Sequence, residues 1–317
     1  KYFVKCCLYV VKSAVYKLRF LIFRPKEKRN LKYKTTICAI FKDEAKYLKE
    51  WIEFHKIVGI EHFYLYNNFS SDNYKEVLAP YIQNGDVSLI DWPVPQGQMK
   101  AYEDCLVRYG NETQWIGFID IDEFVCPNKT DTIADFLKDF KNRAVVIFNW
   151  RYFGSSGYLE RNKDSLVTES FVSCWGKYSD IGKCFFNTDY SYLQGNYMHS
   201  IWGSYKKHNF PPVNCFDKVC IYNFNPVKTE NLPIQINHYV LKSYSEFLEK
   251  KQRGDACFEN NNHNEQYFYG HEHFCQSADF HIIRYVTKLK IALKNDGGGY
   301  ASIVKVCAAN SLEKEAA

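Results

Sequence analysis

Between residues 35 and 150 the chain alternates two kinds of hydrophobic pattern. Short runs in which nearly every position is apolar, TTICAIF (35–41), HFYLY (62–66), DVSLI (86–90), WIGFI (115–119) and AVVIFNW (144–150), are separated by longer stretches with helical spacing. The first such stretch, Glu44 to Val58, sets Leu48, Trp51, Ile52, Phe54, His55 and Val58 three or four residues apart, and Gly59 stands where a helix would stop. Further helices are expected near 72–84, 98–109 and 131–141. Strands apolar on both faces and separated by helices specify an α/β fold whose mostly parallel sheet is covered on both sides. Ligands bind such sheets beyond the carboxyl ends of the strands. After Trp150 the pattern changes to short aromatic strands with polar turns, then to INHYVLK and a helix over 243–254. This β-rich C-terminal elaboration is expected to cover the sheet edge and shape a substrate site within the same domain.

The division expected is therefore a basic N-terminal helix and linker (1–34), an α/β half (35–150), a second half of the same domain (151–285) and a tail (286–317). Residues 1–34 hold eleven Lys and Arg against the single acid Glu27, a net +10 that leaves −5 of the overall +5 for the remaining chain. A weakly acidic body argues against a nucleic-acid partner. Within residues 1–24, Lys1, Lys5, Lys12 and Arg19 share a stripe that Ser13, Lys17 and Arg24 widen, while Phe3, Leu8, Val11, Val15, Leu18 and Ile22 lie elsewhere. Charges interrupt every stretch long enough to span a bilayer, so the expectation is an interfacial helix on an anionic membrane surface, ended by Pro25. No cleavable signal peptide is apparent, and a cytoplasmic location, peripheral at the inner face of the cell membrane, is expected.

Twelve cysteines are scattered from Cys6 to Cys307 without the spacing of a zinc ribbon or a stapled domain. Most sit in apolar runs as small hydrophobes, and a reducing compartment suits them. Asn68, Asn111 and Asn128 begin Asn-x-Ser/Thr triplets that matter only in a secretory setting.

The sharpest chemical signal is WIGFIDIDEF (115–124), an apolar strand that stops at Asp120, Ile121, Asp122 and Glu123. Carboxylates at i and i+2 beyond a strand project to one side and can hold a hard divalent cation, Mg²⁺ or Mn²⁺, with positions left for diphosphate oxygens. The first strand is followed by IFKDEAKYL, which lacks both G-x-G-x-x-G and G-x-x-x-x-G-K-[ST], so dinucleotide and P-loop readings fail.

Four blocks in order, TICAIFKDEAKYLKEWIEFHKIVGIEHFYLYNNFSSD, WIGFIDIDEFVCP, NWRYFGSSG and INHYVLKSYSEFLEKKQRG, together resemble glycosyltransferase family 92 and the related bacterial family 2-like proteins. The resemblance covers about residues 35 to 255 and implies a Rossmann-like GT-A fold with a D-x-D that binds metal and nucleotide-sugar. It implies inverting transfer of a sugar, commonly galactose in β-linkage, from a UDP-sugar to a glycan or lipid-linked glycan acceptor. On that basis Lys42 and Glu44 face the nucleotide, with Asn67, Asn68 and Asp72 bordering uracil and ribose; Asp72 has the rival role of N-cap to the next helix. Gln98 and Lys100 enter the following helix beside the donor. Asp120 is expected at the ribose or metal and Asp122 at the metal.

A third ligand in this fold usually comes from a late histidine, and His238 in QINHYVLKS is preferred over His199 in YMHSIW. Lys242 stands near for the diphosphate, just before a helix N-terminus. Inversion needs a carboxylate base for the acceptor hydroxyl. Glu169 in LVTESF, read as a strand residue, is nominated, with Asp255 and Glu265 behind it. Gly154, Ser155 and Ser156 in FGSSG fit either close approach to the sugar or a tight strand connection. Two rival classes share these features: a metal-dependent phosphoesterase or nucleotidyltransferase, and a non-catalytic carbohydrate-binding protein with Trp150, Tyr152, Trp175, Tyr178 and Trp202 as stacking platforms.

Overall fold

The computed structural model describes residues 2–25, 29–193, 199–221, 231–254 and 263–294, with side chains from Leu8 onward. An N-terminal helix, α1 (Tyr2–Ile22), precedes the alternating region: β1 (Tyr33–Phe41), α2 (Ala45–Ile57), β2 (His62–Asn67), α3 (Tyr74–Gln83), β3 (Val87–Asp91), α4 (Gln98–Tyr109) and β4 (Thr113–Phe118). Then come β5 (Glu123–Pro127), α5 (Ile133–Leu137), β6 (Val145–Tyr152), α6 (Val167–Ser170), β7 (Ser173–Cys174) and β8 (Gly182–Asn187). Three short strands, β9 (Ser191–Tyr192), β10 (Gly203–Tyr205) and β11 (His208–Phe210), form a small separate sheet. The remainder is β12 (Val213–Asn214), β13 (Ile234–His238), α7 (Tyr244–Arg253), α8 (Glu265–Phe274), β14 (Ser277–Ala278) and α9 (Ile283–Lys294).

The main sheet runs β3-β2-β1-β4-β8-β6-β13-β5, with β12 beside the first half of β6. Its first four strands are parallel, as their unbroken apolar runs require: every residue of β2 and seven of the nine of β1 are buried. The expectation that the chain after Trp150 covers the sheet edge is corrected. β8 inserts antiparallel between β4 and β6, and β13 pairs with both β6 and β5, so late strands complete the middle of the sheet. The apolar run GKCFFN of β8 is wholly buried, which an edge cover would not need. The tail boundary at 286 also falls inside a core element, because α9 packs along α2 and buries Tyr285, Val286, Leu289 and Ala292.

Helix α2 is held under the sheet by its apolar face and ends as the sequence requires. Gly59 takes φ +93°, and a Cβ there would also press on Thr132. Its His55 is fully buried: Nδ1 donates to the Trp51 carbonyl (2.8 Å), and Nε2 accepts from the Val125 amide (3.2 Å). Burial pulls this imidazole down to about 3, only partly opposed by the Trp51 bond. The unfolded chain therefore takes up a proton near its ordinary value while the folded chain refuses it, so the stability is complete above pH 6.5 and drains away as pH falls toward 3. Between pH 7.5 and pH 5 this residue alone should cost about 2 kcal/mol. Urea unfolding of the parent and of His55→Gln at both pH values measures it; the variant starts less stable and loses correspondingly less on acidification.

Candidate functional site

Parallel pairing of β1 with β2 and β4 aligns Phe41 with Asn67 and Cys38 with Phe118, so three strand ends open onto one rim. A cleft of about 210 Å³ lies there, small beside a typical small-molecule pocket. Lys42, Glu44, Asn68 and Gln98 line it together with Asp120, Asp122, His238, Lys250, Arg253 and Tyr267.

The β1–α2 turn is set by Asp43, which adopts φ +50° and accepts from the Ser71 and Asp72 amides. In return Asp72 Oδ2 accepts from the Ala45 amide (2.7 Å), the first of α2. Asp72 therefore lies outside the cleft lining, and the N-cap reading is corrected: the N-cap of α3 is Asn73, without a side-chain bond. Asn67 is likewise structural, donating to Tyr74 Oη and Asp91 Oδ1, and its neighbour Asn68 faces the cleft. Lys100 is exposed on α4 away from the lining, whereas Gln98, one turn-start earlier, donates to Asp120 Oδ1 at 2.7 Å.

Asp120 and Asp122 both reach the rim, but each is already matched with its own ammonium group. Lys183 Nζ, buried on β8, sits 2.7 Å from Asp120 Oδ2 and 3.8 Å from Glu123 Oε2. Lys250 Nζ sits 2.5 Å from Asp122 Oδ2. Burial alone would raise Asp122, yet Lys250 and His238 carry it well below the usual carboxylate range, so it stays ionised. For Glu123 burial wins over Lys183, with Asp120 and Asp122 adding to the upward push, so its carboxyl is held well above the usual carboxylate range. Glu123 instead orients the loop, accepting the Asp120 amide at 2.9 Å.

The antiparallel register of β5 and β13 sets His238 directly opposite Glu123. Its Nε2 lies 3.7 Å from Asp122 Oδ1, and its Nδ1 is buried without a hydrogen-bond partner. Burial lowers this imidazole against the pull of Asp122, so it is neutral and a lone pair is available. His199 is turned elsewhere, with Nδ1 on the Gly182 carbonyl and its ring edge-on to Trp150, and it does not line the cleft. Two carboxylates, an imidazole and no thiol are the donor chemistry of a Mn²⁺ or Mg²⁺ site, and the unpartnered His238 nitrogen fits that use. Among the described residues no three such side chains yet stand together as a ligand set. A cation at Asp122 would take over the charge that Lys250 now balances.

Sequence reasoning missed Lys183, Lys250 and Arg253. The last two arrive on α7, whose start is fixed by a capping box of Ser243 and Glu246 and by Arg161 and Tyr47, both bonded to Glu246 Oε1 at 2.9 Å. Arg253 pairs with Glu44 Oε1 (2.6 Å), and Lys42 Nζ donates to the Arg253 carbonyl (3.2 Å). The signal was legible in SYSEFLEKKQR, a capping box followed by a basic last turn, but only tertiary placement aims those cations at the cleft.

Lys242 is corrected: it lies outside the cleft lining, buried with Nζ 4.3 Å over the Tyr47 ring. Burial lowers its ammonium while Asp122 and Glu44 support the charge. Glu169 is also corrected, being on the short helix α6 rather than a strand, tied to Lys290 and to the Leu166 amide, and absent from the cleft lining. Asp255 lies outside the described residues, directly after Gly254 of the lining. The FGSSG segment is a packing feature, since a Cβ on Gly154 would meet Glu272 Oε1 at 2.5 Å and Cys275 Sγ at 2.7 Å.

Sheet and cleft together define an α/β protein with an acid-walled, cation-faced ligand site beyond its parallel strands. The family model of glycosyltransferase family 92 matches residues 33–289, and the chain belongs to that family. A beta-1,4-galactosyltransferase of Caenorhabditis elegans is 35% identical over 252 residues, covering 72% of this chain and 53% of that protein. A glycosyltransferase family 92 protein of Oryza sativa subsp. japonica is 30% identical over 136 residues, 42% of this chain and 23% of the relative. The chain thus spans only 53% and 23% of the length of these two relatives. Among solved structures, S. aureus TarS 1–349 in complex with UDP overlaps 49% of this chain and 47% of its own at 14% identity and TM-score 0.34. The mannosyltransferase PcManGT of Pyrobaculum calidifontis, in complex with GDP-Man and Mn²⁺, overlaps 44% and 42% at 14% identity and TM-score 0.29, correspondences too partial to carry an argument.

Proposed function

We propose that this protein is a metal-dependent, inverting glycosyltransferase that moves galactose in β-linkage from UDP-galactose to a glycan or lipid-linked glycan acceptor. The observation that carries the reading is the cleft of a family 92 chain lined by Asp120, Asp122 and His238 together with Lys42, Lys250 and Arg253. The choice of galactose is supported by the galactosyltransferase relative.

The cleft side chains divide the work by charge. Asp122 and His238, with Asp120 beside them, hold Mn²⁺ or Mg²⁺. When bound, the cation neutralises charge that develops on the departing diphosphate. Lys42, Lys250 and Arg253 bind the remaining diphosphate oxygens through charge-assisted hydrogen bonds, and Arg253 is steered by Glu44. Gln98 fixes the rotamer of Asp120. The acceptor hydroxyl oxygen attacks the anomeric carbon as the bond to the UDP oxygen breaks, and its proton passes to a carboxylate base. Glu169 does not line the cleft, and the base we assign is Asp255, next in sequence to Gly254.

Release of UDP from a panel of UDP-sugars, with Mn²⁺ and then with chelator, tests the reading: UDP-galactose should be preferred and chelation should end turnover. A phosphoesterase would release phosphate without an acceptor sugar, and a binding protein would release nothing. In the same assay Asp255→Asn should lower kcat by roughly 10²–10⁴-fold, the range of general-base catalysis, while Glu169→Gln leaves it within about two-fold. A reversed pair of results removes Asp255 from the mechanism.

A further inference from the structure

Helix α1 is bound to the protein by one stripe and bare on the other. Tyr9 Oη donates to the Val219 carbonyl (2.9 Å), Phe20 is buried against Phe210, and Phe23 stacks on His208 with ring centroids 3.8 Å apart. Arg19 also donates to the Asn209 carbonyl at 2.9 Å. The helix is therefore fixed to β11 and the chain around it along an aromatic stripe, rather than attached as a loose tether.

With about 100° between successive residues, the side opposite that stripe carries Leu8, Val11, Val15, Leu18 and Ile22, extended by Val10 and Leu21. These seven residues are between 50% and 64% exposed. Their boundaries are basic on both sides: Lys12 and Arg19 border one flank, Lys17 and Arg24 the other. Residues 1–26 contain no Asp or Glu. Among the described residues no helix is long and apolar enough to cross a membrane.

We propose that α1 is a surface-lying membrane anchor, its exposed apolar arc entering the acyl boundary of an anionic leaflet while Lys12, Lys17 and Arg24 reach the lipid phosphates. The sequence pattern suggested one polar stripe against one apolar face. The structure instead reveals three zones, and the aromatic zone being occupied by protein is what fixes the orientation of the whole body on the bilayer. The apolar spacing of three and four residues would also suit a second copy of the helix. Such a pair, parallel or antiparallel, would set cations against cations on both flanks with no acid to relieve them, whereas anionic headgroups complement both flanks at once.

Sedimentation of the full chain with mixed phosphatidylserine–phosphatidylcholine vesicles, and with pure phosphatidylcholine vesicles, provides the test. The parent should bind the mixed vesicles, and added salt should weaken that binding. Val11→Glu with Leu18→Glu should reduce partition by more than roughly 100-fold, since two apolar insertions are replaced by charge. Lys12→Gln with Lys17→Gln should reduce it by roughly five-fold per cation removed and make it less sensitive to salt. All four positions are exposed, so melting temperatures should stay unchanged. Equal binding by the glutamate variant, or a concentration-dependent dimer in ultracentrifugation that the variant abolishes without vesicles present, overturns the proposal.

Discussion

Asp122→Asn should reduce sugar transfer by roughly 10²–10³-fold, the loss expected when one preorganised charge at a reacting centre is neutralised. The isosteric amide keeps the shape of a buried position but can no longer hold a cation against Lys250. Metal affinity should fall with activity, so titration of UDP in the presence and absence of Mn²⁺ distinguishes a lost ligand from a damaged fold. In the variant the Mn²⁺-dependent gain in UDP affinity disappears. His238→Ala should lose the same gain, because its imidazole faces Asp122, whereas His199→Ala, turned to the Gly182 carbonyl, should retain it. A His199 variant that alone loses the metal effect would transfer the ligand role to it.

Lys183→Met should destabilise the protein by about 2–3 kcal/mol. Burial opposes the charge on Lys183, but Asp120 and Glu123 raise it well above an ordinary lysine, so it is protonated and serves as the fixed counterion beneath the rim. Removing it strands Asp120 beside Glu123. The cost falls below the 3–5 kcal/mol typical of a fully dry broken pair, because the Asp120 side chain retains 33% exposure and can be hydrated. Adding Glu123→Gln to Lys183→Met should restore part of the loss, a coupling that a double-mutant cycle on urea unfolding would quantify. No coupling between the two would mean that Glu123 is already neutral and that Lys183 answers to Asp120 alone.

The sequence by itself determined the parallel core of this protein and the address of its site. Short apolar runs rich in β-branched and aromatic residues, such as TTICAIF and HFYLY, alternate with helical stretches and so read as strands covered on both faces, which puts the acids just past WIGFI at a strand end where ligands bind. Both conclusions rest on local periodicity, which survives without knowledge of partners. The capping box at Ser243 and the stop at Gly59 were legible for the same reason, since backbone donors and a left-handed turn are local demands.

Only the tertiary structure decided which charges meet. Glu169, Lys242, Asp72 and Asn67 have the right chemistry for a donor site, but contacts distant in sequence assign them to Lys290, Tyr47, Ala45 and Asp91. Conversely, Lys183 sits in an apolar strand run, GKCFFN, where no pattern marks a functional cation, and it reaches Asp120 because β8 runs antiparallel beside β4. Strand insertion and register are global outcomes of closing the sheet, and they alone bring residues more than sixty positions apart within hydrogen-bonding distance. The three zones of α1 follow the same rule, because a periodic pattern separates its faces but cannot say which face the protein itself covers.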